Sequence, residues 1–203
     1  MNHLQLTKKL TNRYYVMRHG QSKANLQNII VSHPQNGTHM DYALTELGKQ
    51  QAYASAKQSS LSSDTVIYAS DFSRARETAE IVREVLGTPV VHITIALRER
   101  HFGDWEKSDS ANYHTVWASD KTNADHREHN VESVNAVLDR VTRFILSLEK
   151  RYTDKDILLV SHGDTLQILQ TAFENTSPTE HRGLRHLETA EIRRMTLAGN
   201  PTS

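Results

Sequence analysis

Short apolar runs alternate with amphipathic stretches along most of this chain. Strand-like apolar runs lie at 14–17, 65–69, 89–93 and 156–161. Apolar positions that repeat every three or four residues predict helices over 46–57, 72–86, 134–152 and 165–173. Residues 190–195 predict a final edge strand. This alternation is typical of a mostly parallel sheet with crossover helices, so we expect an α/β fold.

Capping residues locate the ends of two of these helices. Thr45 is a suitable N-cap for the helix that begins at Glu46. Ser70 or Asp71 is expected to cap the next helix, and Gly87 is expected to end it.

Residues 97–130 have no clear period, although they include both tryptophans and several histidines. We expect an insertion that caps the domain and contains at least a short helix near 113–117, because long insertions in compact domains are usually functional. At ~150 residues per domain, the 203 residues predict a single domain over 1–203. A flexible tail is expected from about residue 197.

Composition excludes several classes of protein. The absence of cysteine excludes a disulfide framework, an iron–sulfur cluster and a cysteine nucleophile, and it favours a cytoplasmic location. The 24 basic and 24 acidic residues give no net charge, so neither nucleic acid nor an anionic membrane is an expected partner. The chain has no long apolar run for a transmembrane helix, and residues 1–12 do not resemble a secretory signal.

Two predicted strands end in a histidine followed by glycine, as Arg18-His19-Gly20 and Ser161-His162-Gly163. Ligands of open parallel sheets bind outside the carboxyl ends of the strands, so both histidines are expected to share one site. Glycine lets a ligand approach the backbone and can present amide groups to an anion.

The chain resembles the histidine phosphatase superfamily, the phosphoglycerate-mutase-like group, from about Tyr14 to Met195. The resemblance rests on five ordered blocks, which are Arg18-His19-Gly20 through Asn25, Leu44–Ala52, Ser70–Ala79, Leu97–Gly103 and Ser161-His162-Gly163. It implies a three-layer α/β/α sandwich of phosphoglycerate-mutase-like type.

The resemblance also implies a role for each site residue. His19 is the nucleophile that becomes phosphohistidine, with Arg18, Arg74 and His162 as further catalytic residues. The residues expected to bind the phosphoryl oxygens are Arg18, Asn25, Arg74, Gly163 and the imidazolium of His162. An in-line attack requires a neutral His19, so we expect neighbouring cations to lower its pKa and a backbone carbonyl to select its tautomer.

Glu99 is the expected general acid, although Asp104 and Glu106 are nearby in the sequence. Ser22, Gln21, Arg100 and His101 are candidates for the substrate rim. A second phosphate or a carboxylate could also bind in the capping segment, at Arg100, His101, Lys107, Lys121, His126 or Arg127. Lys107 and Val131 stand where the family often has glycine, which affects the conformation of this segment.

The prediction is a phosphatase that acts on small phosphorylated metabolites, needs no metal or other cofactor, and has a small-molecule phosphate ester as its partner. The alternative is a phosphoglycerate-mutase-type transfer. The segment 107–130 is short for a mutase and contains the single Arg127. Two other classes stay open: a metal-binding module at His126-x-x-His129, and a catalytically silent module that binds phosphorylated ligands.

Overall fold

The computed structural model describes residues 1–5, 7 and 9–198, which form a five-stranded sheet with helices on both faces. The strands are β1 (Arg13–Arg18), β2 (Val66–Ser70), β3 (Val91–Thr94), β4 (Asp156–Ser161) and β5 (Ile192–Met195). Their order across the sheet is β3-β2-β4-β1-β5. The first four are parallel, and β5 pairs antiparallel with β1 at the edge. The predicted α/β class and the mostly parallel sheet are confirmed.

In the part of the chain that the structure describes, seven α-helices accompany these strands. They are α1 (Lys23–Leu26), α2 (Pro34–Gly37), α3 (Glu46–Gln58), α4 (Ser73–Leu86), α5 (Tyr113–Thr122), α6 (Val134–Arg151) and α7 (Gly163–Glu174). The four helices predicted from periodicity correspond to α3, α4, α6 and α7. Among the described residues, no helix is long and apolar enough to cross a membrane.

The central strand β4 is buried on both faces. Ile157 and Leu159 pack with α6 and α7, whereas Leu158 and Val160 pack with α3 and α4 on the opposite face. Successive side chains of a strand point to opposite faces, so a continuous apolar run places a helical layer on each side of the sheet. This arrangement brings the loops that follow β1 and β4 to one edge.

Two of the three predicted helix ends agree with the structure. The Thr45 hydroxyl accepts a hydrogen bond from the Gly48 amide at 3.0 Å, and Gly87 ends α4 with a φ of 73°. The N-cap of α4 is Phe72, which makes no side-chain capping bond, so the expected cap at Ser70 or Asp71 is wrong. The Ser70 hydroxyl instead contacts His162 in the candidate active site.

The segment 97–130 packs against the body of the protein. Its helix α5 is longer than the predicted 113–117, and Phe102 and Val116 form a small core with Ile30 and Val131. Lys107 has a φ of 63°, the left-handed conformation that a glycine would adopt most readily.

The start of the expected flexible tail also packs on the body. Leu197 is buried, and the Ala198 amide donates to the Phe173 carbonyl at 2.7 Å. The rest of the predicted tail, 199–203, lies outside the described residues.

Candidate active site

The two His-Gly pairs lie next to each other in the structure. Strands β1 and β4 pair in register with Arg18 opposite Ser161, so His19 and His162 follow neighbouring strand ends. Their ring centroids are 5.1 Å apart. His19 lines a cavity of about 320 Å³, whereas His162 is fully buried behind it.

The hydrogen bonds of His19 determine its tautomer. Nδ1 lies 2.7 Å from the Gly20 carbonyl oxygen, which can only accept, so Nδ1 carries the proton. Nε2 accepts from Nε of Arg74 at 3.1 Å. Burial lowers the pKa of His19 well below its ordinary value, and the charges of Arg74 and Arg18 lower it further. The cations predicted to cause this shift contribute, but burial contributes more. The ring is therefore neutral, with its lone pair on Nε2.

His162 is also neutral in this environment. Its pKa is lowered well below the ordinary value by burial first and then by Arg74 and His19, so the imidazolium form expected from the sequence is disfavoured. Nε2 lies 3.0 Å from the Ser70 hydroxyl. Nδ1 is buried without a hydrogen-bond partner among the described residues, which leaves it available to an oxygen in the site.

Arg18 and Arg74 bring two cations to this buried place. Arg18 Nη1 lies 2.7 Å from Nε2 of His186 and donates to the Leu187 carbonyl at 3.1 Å, and Arg74 Nη2 donates to the Val31 carbonyl at 2.8 Å. Nε of Arg18 and Nη1 of Arg74 have no partner among the described residues. Unpaired buried guanidinium donors are costly, and an oxyanion would satisfy both.

Gly163 and Asn25 complete the lining on the phosphate side. Gly163 is the first residue of α7, whose N-terminus favours an anion, and a Cβ there would lie 3.5 Å from Nε of Arg18. The Asn25 side-chain oxygen accepts from the Ser22 amide at 3.0 Å. This bond directs the amide NH₂ of Asn25 away from Ser22.

Gly20 has a different use from the one expected. A Cβ on Gly20 would lie 2.3 Å from the Gly48 carbonyl oxygen, so this glycine is required for the close packing of α3 against the loop after β1.

Glu99 is the acidic candidate that lines the cavity. Its Oε1 accepts from the Arg100 amide at 2.9 Å and from the Thr165 amide at 3.2 Å. Burial raises the pKa of Glu99, and the charge of Asp164 raises it further, which favours a protonated carboxyl group.

The two competing carboxylates are engaged elsewhere. Glu106 accepts hydrogen bonds from the Ser32 amide and hydroxyl, both at 2.8 Å, and from the Asn36 side chain at 2.8 Å. Asp104 accepts from the Asn130 side chain at 2.9 Å. Neither lines the cavity.

The expected substrate rim is mostly wrong. Ser22 lines the cavity, but Gln21, Arg100 and His101 do not. Arg100 is fully buried, and both of its terminal nitrogens donate to Asp120, at 2.6 and 2.8 Å. His101 lies beside two other surface grooves.

The other predicted anion-binding residues of the segment are also outside the cavity. Lys107, Lys121 and Arg127 are exposed. His126 is buried with Nε2 2.7 Å from Asp120, while His129 packs on Trp105 at 4.9 Å between ring centroids. Within the described residues, no group of three histidines, aspartates or glutamates could hold a metal.

Sequence reasoning missed several residues of the cavity wall, and those with a chemically useful side chain include Tyr113, Trp117, Asp164, Arg182 and His186. Tyr113 and Trp117 are one turn apart on α5, and that spacing is the only available signal for the pair. Arg182 and His186 come from the loop between α7 and β5, which lies outside all five motif blocks.

Comparisons with known proteins identify relatives of this chain. A sequence profile of the histidine phosphatase superfamily (branch 1) matches residues 14–202. An adenosylcobalamin/alpha-ribazole phosphatase of Salmonella typhimurium is 31% identical over 164 residues, and the match covers 77% of each protein. A glucosyl-3-phosphoglycerate phosphatase of Mycobacterium tuberculosis is 28% identical over 173 residues, 79% of this chain and 74% of that protein.

The fold is shared as well. The solved structure of a mycobacterial glucosyl-3-phosphoglycerate phosphatase superposes with a TM-score of 0.73 at 25% sequence identity, covering 90% of this chain and 88% of that one.

Proposed function

Because this chain belongs to the histidine phosphatase superfamily and is a phosphatase of small phosphorylated metabolites, we propose that it works through a phosphohistidine at His19. The observation that carries the proposal is the neutral His19, with its Nε2 lone pair beside two buried guanidinium groups that have unpaired N–H donors.

In the first step, Nε2 of His19 attacks phosphorus in line. An N–P bond forms, the P–O ester bond breaks, and its electron pair passes to the leaving oxygen, which takes the proton of Glu99. The Nε proton of Arg74, which is hydrogen-bonded to Nε2 of His19, turns to a phosphoryl oxygen when the substrate binds. Arg18 and Arg74 stabilise the charge on the phosphoryl oxygens.

In the second step, water attacks the phosphohistidine. The Glu99 carboxylate takes a proton from the water, the N–P bond breaks, and its electron pair returns to Nε2 of His19. Phosphate leaves and Glu99 is protonated again. We expect this cycle to run without a divalent cation, because the guanidinium groups supply the charge stabilisation that a metal supplies elsewhere.

A Glu99→Gln substitution tests the acid. We expect kcat/KM, which reports the steps up to loss of the leaving group, to fall by about 10²-fold for an alkyl phosphate and by less than about tenfold for an activated aryl phosphate, whose leaving oxygen needs no proton. The value of kcat should fall for both substrates, because the second step also needs the Glu99 carboxylate. Because the pKa of Glu99 is raised, the carboxyl group stays protonated above its usual range, and kcat/KM should fall as the pH rises through that pKa. In Glu99→Gln, kcat/KM should no longer show this decrease at high pH.

The control for Glu99 is Asp104→Asn, which changes an exposed carboxylate outside the cavity and should leave both rates unchanged. Equal losses of kcat/KM on aryl and alkyl phosphates in Glu99→Gln would assign the acid role to another group.

The activity itself is tested by phosphate release from a panel of phosphomonoesters in EDTA, with an activated aryl phosphate and phosphoglycerates included. We expect release by the wild-type protein. No release in EDTA with recovery on adding a divalent cation would contradict the metal-free mechanism. Isomerisation of phosphoglycerates in place of phosphate release would favour the mutase alternative. The structure gives that alternative little support, because Arg127, the arginine of the segment 107–130, is exposed and does not line the cavity.

The cytoplasmic location, the single domain over 1–203 and the absence of nucleic-acid or membrane partners stay predictions from the sequence.

A further inference from the structure

The cavity wall has a third arginine besides Arg18 and Arg74. Arg182, from the 3₁₀-helix Pro178–Gly183, lies with its guanidinium carbon 3.6 Å from the centroid of the Trp117 ring. Trp117 in turn stacks on Tyr113, with ring centroids 5.3 Å apart and planes 8° from parallel. All three side chains line the same cavity as His19.

Arg182 is held in place by its neighbours. Its Nη1 donates to the Gln167 side-chain oxygen and lies 3.6 Å from Asp164. The Trp117 indole is fixed by a hydrogen bond of 3.0 Å from its Nε1 to the same Asp164. The other nitrogens of Arg182 make no hydrogen bond to the described residues, and the side chain is 28% exposed. A fixed, half-buried guanidinium with free donors is suited to a planar anion.

The described lining of the cavity holds one more arginine than the proposed phosphoryl transfer uses. Three arginines line it, and Arg18 and Arg74 are committed to the phosphoryl group. His186 adds no charge, because its Nε2 accepts from Arg18 and its pKa is lowered by burial and by Arg18. Arg182 is therefore the cation left for another part of the substrate.

We propose that Arg182, backed by Trp117, binds a carboxylate of the substrate, so that the enzyme prefers short phosphorylated carboxylic acids. This inference rests on the proposed phosphatase function and names the substrate class of the same site. Asp164 lies 3.6 Å from Arg182, and a doubly charged second phosphate would place more negative charge beside it than one guanidinium can balance. A carboxylate carries one charge and matches the planar fork. The cavity of about 320 Å³ suits a small metabolite.

The test compares 3-phosphoglycerate with glycerol 3-phosphate, which differ in the carboxylate. In Arg182→Gln, kcat/KM for 3-phosphoglycerate should fall by about 10- to 100-fold, the range expected for a hydrogen bond to a charged group. The rate on glycerol 3-phosphate should change by less than about threefold, and Arg182→Lys should be intermediate for 3-phosphoglycerate. The control is Arg185→Gln, an exposed arginine of the same loop that pairs with Glu191 at 3.1 Å outside the cavity.

Binding gives a readout that does not depend on turnover. Titration calorimetry of His19→Ala and of His19→Ala/Arg182→Gln with both ligands should show a carboxylate preference that the second substitution removes. Equal losses on the two ligands, or no preference in His19→Ala, would overturn the subsite even if the wild-type protein releases phosphate. No phosphate release with a carboxylate preference intact would instead overturn the proposed catalysis and keep the subsite.

Discussion

Replacing His19 by alanine should reduce phosphate release by at least about 10⁴-fold, because it removes the neutral ring whose Nε2 lone pair lies beside Arg74 and takes up the phosphoryl group in the proposed first step. The measurement is kcat on an activated aryl phosphate, whose leaving group does not depend on Glu99. KM should change much less than kcat, since Arg18 and Arg74 still bind the phosphoryl group.

The matched control is His92→Ala. His92 lies on β3, stacks on Tyr68 and does not line the cavity, so its loss should leave kcat unchanged. If His19→Ala kept kcat within about tenfold of the wild-type value, the nucleophile would have to be another group, because loss of a true nucleophile costs far more.

Replacing Asp120 by alanine should lower the free energy of unfolding by about 3–5 kcal/mol, the cost of leaving a buried charge without its partner. Arg100 and Asp120 have no solvent exposure, and the pair is bidentate. Asp120 also accepts from His126 at 2.7 Å. The remaining carboxylate near Arg100 is Asp164, at 3.2 Å. Since whole domains are stable by about 5–15 kcal/mol, this is a large share of the total.

Urea unfolding at neutral pH measures this change, with Asp125→Ala as the control. Asp125 is exposed on the same segment and should cost less than about 0.5 kcal/mol. A loss below about 1 kcal/mol in Asp120→Ala would contradict a stabilising role for this buried pair, since breaking such a pair costs several times more.

The sequence was sufficient to predict the sheet and one side of the site. Continuous apolar runs such as 157–160 occur where a strand is covered on both faces, and the residues that follow such strands must meet at one edge. The local pattern of apolar residues was therefore enough to predict that His19, His162 and Gly163 lie close together. The spacing of the family motifs predicted that Arg18, Arg74 and Glu99 belong to the same site.

The positions of Arg100 and Arg182 could not be predicted in the same way. Arg100 occurs in a polar, aperiodic segment, which is typical of a solvated charge, but its partners Asp120 and Asp164 come from other parts of the chain. Arg182 has no periodic or motif context, and its position depends on contacts with Trp117 and Gln167 that arise only from the tertiary fold.

The most direct test of the account is to trap the intermediate. Wild-type protein and Glu99→Gln are mixed with an activated aryl phosphate and quenched rapidly in alkali, in which phosphohistidine survives, and the peptides are sequenced by mass spectrometry. We expect one phosphoryl group on His19, accumulating more in Glu99→Gln because the second step needs the carboxylate to activate water. A phosphoryl group on another residue, or none on His19 during a measured burst of product, would contradict the account.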